Sequence, residues 1–193
     1  MKNLIRTVKM GLSDFARAFY APRALYTDLR AGRPSPSWLC VLVYCLIYMV
    51  MTVWLHLHQF EPFTPPWIIL DPQVYYLVET FYLTPLVFLM WILGAGTIQT
   101  LGRLFGGQGS FEGTLRMTGY SLWAPWYPLI IMDIVQSAPE WIYNIVLGSC
   151  MGLVLVGTTI AVRAEQRIGL PAALVTALLA VGSVAVILFT YIR

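Results

Sequence analysis

Charge is what this sequence has least of. Only 11% of its 193 residues are Asp, Glu, Lys or Arg, against about 25% in a soluble domain, which must cover its surface with polar groups. Catalytic signatures are missing as well. There is no HExxH zinc helix, no GxSxG elbow and no phosphate loop. The glycine cluster Gly106-Gly107-Gln108-Gly109 lacks the lysine and the Ser/Thr that a phosphate cradle requires. Cysteine is sparse: Cys40, Cys45 and Cys150 lie inside apolar runs, in no disulfide or metal spacing. His56 and His58, with Glu61, invite a metal reading. Residues two apart do not share a helix face, and one carboxylate adds little. These absences leave no catalytic, cofactor or metal residues to name and no nucleic-acid partner, and they point to a non-enzymatic protein.

What is present is apolar. Hydrophobic residues make up 59% of the chain, and the mean hydropathy is +0.72. A helix needs about 20 apolar residues to cross a bilayer. Runs at about 38–57, 74–101, 115–132, 141–162 and 168–192 meet or approach that length. The third is short and carries Pro125 and Pro128, so a kink is expected near 121–125. The expected fold class is therefore all-α, a polytopic membrane protein of about five spans. Residues 1–37 form a cytoplasmic basic region, and 38–193 form the transmembrane domain. No cleavable leader is visible, because the first apolar run follows a charged head.

Lysine and arginine orient the chain. With the N-terminus inside, every basic residue except Arg193 falls in a cytoplasmic segment, while Glu61, Asp71, Asp133 and Glu140 fall outside. An odd number of spans puts the C-terminus outside. The loop 59–67, rich in proline and aromatics, is expected to lie along the outer surface.

Residues 1–20 are too polar to span. On a helical projection Leu4, Ile5, Val8, Leu12, Phe15 and Phe19 share one arc, and Lys2, Arg6, Lys9 and Arg17 occupy the next. A basic amphipathic helix of this kind lies in the headgroup layer, so anionic lipids of the inner leaflet are expected partners. Pro22 ends it, and Ser37 is a plausible N-cap for the first span.

Few polar residues fall within the spans. Glu79 is the one intramembrane carboxylate, about five residues into the second span, where it either faces other helices near the headgroups or serves a proton or cation path. Gly148 and Gly152 form a GxxxG pattern suited to close helix packing, within the chain or between copies. Ala173, Ala177 and Ala180 offer a matching smooth face. Ser110 or Thr114 can cap the third helix, with Glu112 favourable at its positive end.

The stretch from Leu104 through Gly106, Gly107, Glu112, Arg116, Gly119, Tyr120 and Ser121 to Pro125 resembles the Yip family (Ypt/Rab-interacting membrane proteins), above all its bacterial branch. That family has a glycine-bearing cytoplasmic loop, an aromatic and an acidic residue, then a helix opening with a Gly-Tyr-Ser-x-x-x-Pro-like pattern. The upstream segment Ala21-Pro22-Arg23-Ala24-Leu25-Tyr26-Thr27-Asp28-Leu29 is similar to the lead-in of bacterial members. The resemblance covers about twenty residues as motif and most of the chain as architecture. It implies five helices with a cytoplasmic N-terminus, and the leading expectation is a scaffold or accessory subunit in a bacterial inner membrane, with other membrane proteins or itself as partners. The small-GTPase binding of eukaryotic members does not carry over, because the N-terminus here is short and basic rather than long and acidic. The competing expectation is a small transporter or channel, or a transporter subunit, with Glu79 and the kinked third helix lining the path.

Overall fold

The computed structural model describes residues 2–60, 72–134 and 139–191; the proline-rich outer loop expected to lie on the surface falls outside them, except Gln59 and Phe60. Eight helices are described. α1 (Lys2–Tyr20) and α2 (Pro22–Arg30) precede α3 (Ser37–Leu57) and α4 (Pro72–Leu104). α5 (Phe111–Ser121) and α6 (Tyr127–Ile134) flank a 3-10 turn at Ala124–Trp126, and α7 (Glu140–Gln166) and α8 (Leu170–Tyr191) complete the chain. Four helices, α3, α4, α7 and α8, are long and apolar enough to cross a membrane. The expected fifth, over 115–132, is broken into α5, the turn and α6, and neither piece spans by itself.

Two prolines explain the break. Pro125 and Pro128 lack the N–H groups that would bond the carbonyls of Ser121 and Ala124 in a continuous helix. The 3-10 turn recovers one of them, since Tyr127 N–H donates to Ala124 O. Trp126 N–H donates to Trp123 O at 3.1 Å. Trp123, 1% exposed, and Tyr120, 0% exposed, fill the space at the break. Lipid tails are as apolar as leucine, so this packing holds by close van der Waals contact rather than by exclusion of water.

α5 is the hub. It packs against α1, α2, α3, α4 and α7, while α4 and α7 each flank α8. Trp91 on α4 anchors it, its indole N–H shared between Leu115 O at 3.0 Å and Thr118 Oγ1 at 3.1 Å. Ser37 is not the cap of α3. Pro36 takes that position, and Ser37 is buried under Gly119, where a Cβ would stand 2.8 Å from Ser37 Cβ and 3.1 Å from its carbonyl oxygen.

Two expected packing faces separate. Ala173 and Ala180 are fully buried with Ile98 of α4 and Val162 of α7. Gly148 and Gly152 face outward, with nothing within 4 Å of where their Cβ atoms would be. The alanine face therefore meets α4 and the C-terminal part of α7 instead of the GxxxG step. Cys40, Cys45 and Cys150 are buried free thiols.

Candidate functional site

The glycine-rich loop and the residues after it assemble at one end of the bundle, around two side chains from the end of α7. Gly106, at φ +78°, turns the chain in a region that L side chains rarely adopt. The loop then closes over Gln166, whose side chain is 1% exposed. Cβ atoms at Gly102, Gly107 and Gly109 would each stand within 2.7–2.8 Å of Gln166. Glycine there makes room for the amide.

The amide is fully used. Gln166 Nε2 donates to Gln99 Oε1 at 2.8 Å and to Thr114 Oγ1 at 3.0 Å, while its Oε1 accepts from Gly109 N–H at 3.2 Å. Gln99 Nε2 donates in turn to Gly109 O at 2.9 Å. Beside it Glu165 Oε1 accepts from Ser110 N–H at 2.9 Å and from its hydroxyl at 3.3 Å. Ser110 caps α5 as expected, accepting from Gly113 N–H at 2.9 Å. Glu112 and Arg116 form an exposed i,i+4 pair at 2.7 Å. Arg103 donates to Gly109 O at 3.2 Å and Arg30 to Ala164 O at 2.9 Å. These bonds bring the ends of α2, α4 and α7 and the start of α5 together, and with them Arg30, Arg103, Arg163 and Arg167.

A second cluster joins α1 to Tyr120. Asp14 is fully buried. It accepts from Arg33 and, at 2.7 Å, from the Ser35 hydroxyl, which lies 2.9 Å from Tyr120 OH. Arg17 pairs with Asp28 at 2.6 Å and approaches Asp14 at 3.8 Å. This guanidinium holds the Asp28 carboxyl below its usual range, with Arg33 adding to the effect. Arg17 thus serves the protein interior rather than the lipid-facing basic arc in which the helical projection placed it. Arg6 and Lys9 remain exposed. Gly11 and Asp14 are buried against the bundle, and Phe15 meets Tyr127 at 5.0 Å. The outer apolar residues Ile5, Val8, Leu12 and Phe19 stay uncovered.

Glu79 lies between α3 and α4, 1% exposed. Tyr48 OH donates to Glu79 Oε1 at 3.4 Å. One turn away, the hydroxyls of Thr52 and Thr80 meet at 2.9 Å. The carboxylate is enclosed by the bundle. His58 turns Nδ1 to Trp54 O at 2.8 Å, and its ring lies 4.5 Å from that indole. Glu61 is outside the described residues, and among those described no group of three His, Cys, Asp or Glu is placed to hold a metal ion.

Gly119, Tyr120, Ser121 and Pro125 converge where α5 ends. Ser121 Oγ accepts from Thr158 at 3.3 Å, and the Tyr26 phenol of α2 faces Ser121, its pKa raised by burial. Reasoning from sequence passed over Asp14, Arg33, Ser35, Gln99, Glu165 and Gln166. Two signals were available: Asp14 is the one acid in a basic amphipathic helix, and Glu165-Gln166 is a polar pair ending an apolar run.

No curated protein and no solved structure matches the chain. The Yip1 domain matches residues 16–192, from the last turn of α1 to the end of α8. With that match over nearly the whole length, and with four membrane-crossing helices, the chain is an integral multi-pass membrane protein that belongs to the Yip1 domain family.

Proposed function

We propose that this protein is a non-enzymatic membrane scaffold or accessory subunit, built to present a fixed helical surface to other membrane proteins or to further copies of itself. The observation that carries this reading is what the motif residues do. Gly107 and Gly109 make room for Gln166, Gly119 for Ser37, and Tyr120 reaches Ser35 and through it Asp14. The polar groups of the motif are spent on one another, fixing loop, break and surface helix relative to the spans. Support for the orientation comes from the basic residues gathered at one bundle end, which we place in the cytoplasm of a bacterial inner membrane, with α1 on the anionic leaflet. In this arrangement the broken segment α5–α6 makes the fifth crossing, and the C-terminus lies outside.

One observation favours the second reading, a transporter or channel subunit: Glu79 is a carboxylate enclosed within the bundle, and such groups often mark ion paths. The experiment separates the two. Under the scaffold reading Glu79→Gln leaves the proteins that co-purify with the gently solubilised chain unchanged, and vesicles reconstituted with the pure protein show no pH-driven flux. Proton-coupled uptake that disappears in Glu79→Gln, with the fold intact, overturns it.

A further inference from the structure

The basic end of the bundle carries charge that the chain itself does not answer. Among the described residues no carboxylate pairs with Arg30, Arg103, Arg163 or Arg167. The carboxylates on that side are taken: Glu112 by Arg116, Glu165 by Ser110, and Asp14 and Asp28 by Arg33 and Arg17. Arg30 and Arg103 each spend an N–H on a backbone carbonyl and keep further donors. Arg163 and Arg167, four residues apart at the end of α7, are both exposed. Like charges at that spacing repel, an effect the helix dipole offsets in part. Arg167 also takes φ +57°, the left-handed cap conformation in which glycine is the default. A side chain there costs energy that glycine avoids, and strain of this kind collects where a side chain has a use.

Apolar groups lie beside these charges. Gly102 packs against Gln166, and Gln108 N–H donates to Gln166 O at 3.0 Å. The residues next in the chain, Arg103 to Phe105 and Arg167, therefore share one surface. On it Leu104 is 76% exposed and Phe105 47%. α4 has 33 residues, a length of about 50 Å against a hydrocarbon core of about 30 Å. Its polar end, with Gln99 and Arg103, is the end that projects. Large apolar side chains left bare beyond the hydrocarbon mark a protein contact, and arginine and aromatic residues are enriched in such contacts. An anionic headgroup would answer the arginines alone and leave Leu104 and Phe105 in water. A second copy would bring more arginine, since its carboxylates on this side are engaged in the same way.

We propose that Arg103, Leu104, Phe105, Arg163 and Arg167, with Arg30 at their edge, form a docking surface for an acidic segment of another protein, one that also carries a large apolar side chain. The hydrogen bonds around Gln166 hold this surface in place before the partner arrives, which lowers the ordering cost of binding. The proposal rests on the scaffold reading and names the chemistry of the partner. That reading fails through a flux at Glu79, this one through peptide binding, so the two failures are distinct.

The test presents the full chain, in phosphatidylcholine nanodiscs, to a phage library of random twelve-residue peptides, with empty nanodiscs as counter-selection. Enriched peptides are expected to carry several Asp or Glu and at least one Leu, Phe or Trp. Their affinity, read by fluorescence anisotropy, should fall as salt rises. Arg163→Glu with Arg167→Glu should lower it about ten-fold, and Phe105→Ser several-fold. Arg6→Gln with Lys9→Gln, away from the surface, should leave it unchanged. Thermal unfolding in detergent verifies that each variant is folded. Three peptide results overturn the proposal: no enrichment over empty nanodiscs, enriched peptides without acidic residues, or equal affinity for the folded Arg163→Glu, Arg167→Glu variant. Native mass spectrometry from nanodiscs containing phosphatidylglycerol examines the other occupants. Phosphatidylglycerol retained by the wild type and lost in that variant hands the surface to a lipid headgroup and overturns the proposal, and a dimer lost in the same way hands it to a second copy and does so too.

Discussion

Gln166 shows how much a single buried amide carries here. Its side chain accepts one hydrogen bond and donates two, joining α4, α5, α7 and the glycine loop. Replacing it with leucine keeps the bulk but leaves Gly109 N–H and Gln99 Oε1 with one partner fewer each. An unsatisfied buried group costs about 1–3 kcal/mol. We expect Gln166→Leu to lower the unfolding free energy by roughly 2–4 kcal/mol, read in mild detergent as a lower denaturant midpoint. Gln166→Glu is a useful companion, since it keeps the Gly109 bond and loses only the donation. A Gln166→Leu midpoint equal to wild type would mean that the loop is held by its backbone instead.

At the scale of elements, α1 has three faces rather than the two visible in sequence. One is docked through Gly11, Asp14 and Phe15, one is apolar and uncovered, and one is basic. The docked face depends on the Asp14–Arg17–Asp28–Arg33 cluster. Arg17 depresses the Asp28 pKa, so the stability contributed by this pair is full above the ordinary carboxylate value. It is lost as pH falls below that value, about 3.9, and through the lowered folded one. The protection of α1 against hydrogen exchange, taken relative to the intrinsic exchange rate at each pH, should fall as pH drops below about 4, with the exposed C-terminal end of α1 responding least. Asp28→Asn should exchange faster at neutral pH and flatten that profile. Added salt should speed exchange of α1 in anionic nanodiscs but hardly in zwitterionic ones, through screening. An acid profile identical in wild type and Asp28→Asn would remove the pair from the account.

For the whole molecule the open quantity is the number of crossings. Four helices are long enough by themselves, and the fifth segment is broken by its two prolines. α5 starts at the basic end of the bundle, and beyond its end Trp123 and Tyr127 meet Tyr44 of α3; a break is tolerated at membrane depth where protein surrounds it. Reporter fusions should therefore read cytoplasmic at Gly107 and Gly169 and external at Pro139 and after Arg193. A cytoplasmic C-terminus would reduce the crossings to four and turn α5–α6 into a re-entrant pair. The same fusions made in Pro125→Ala examine whether the break itself sets the topology.

The helical class, the long apolar helices, the amphipathic N-terminus and the position of the break were legible in sequence. Each rests on local chemistry: run length against bilayer thickness, a 100° repeat, and proline without its N–H. Ser110 as a cap was legible for the same reason, a short-range bond from a hydroxyl to a nearby amide. The glycine loop was visible, but its purpose was not, because Gln166 comes from 57 residues further on than Gly109. Asp14 meeting Tyr120 through Ser35, Glu79 enclosed by α3 and α4, and the outward GxxxG step all depend on which helices lie side by side. Sequence fixes the faces a helix possesses; only the tertiary packing decides which of them meets protein and which meets lipid, because side chains far apart in the chain compete for the same surfaces.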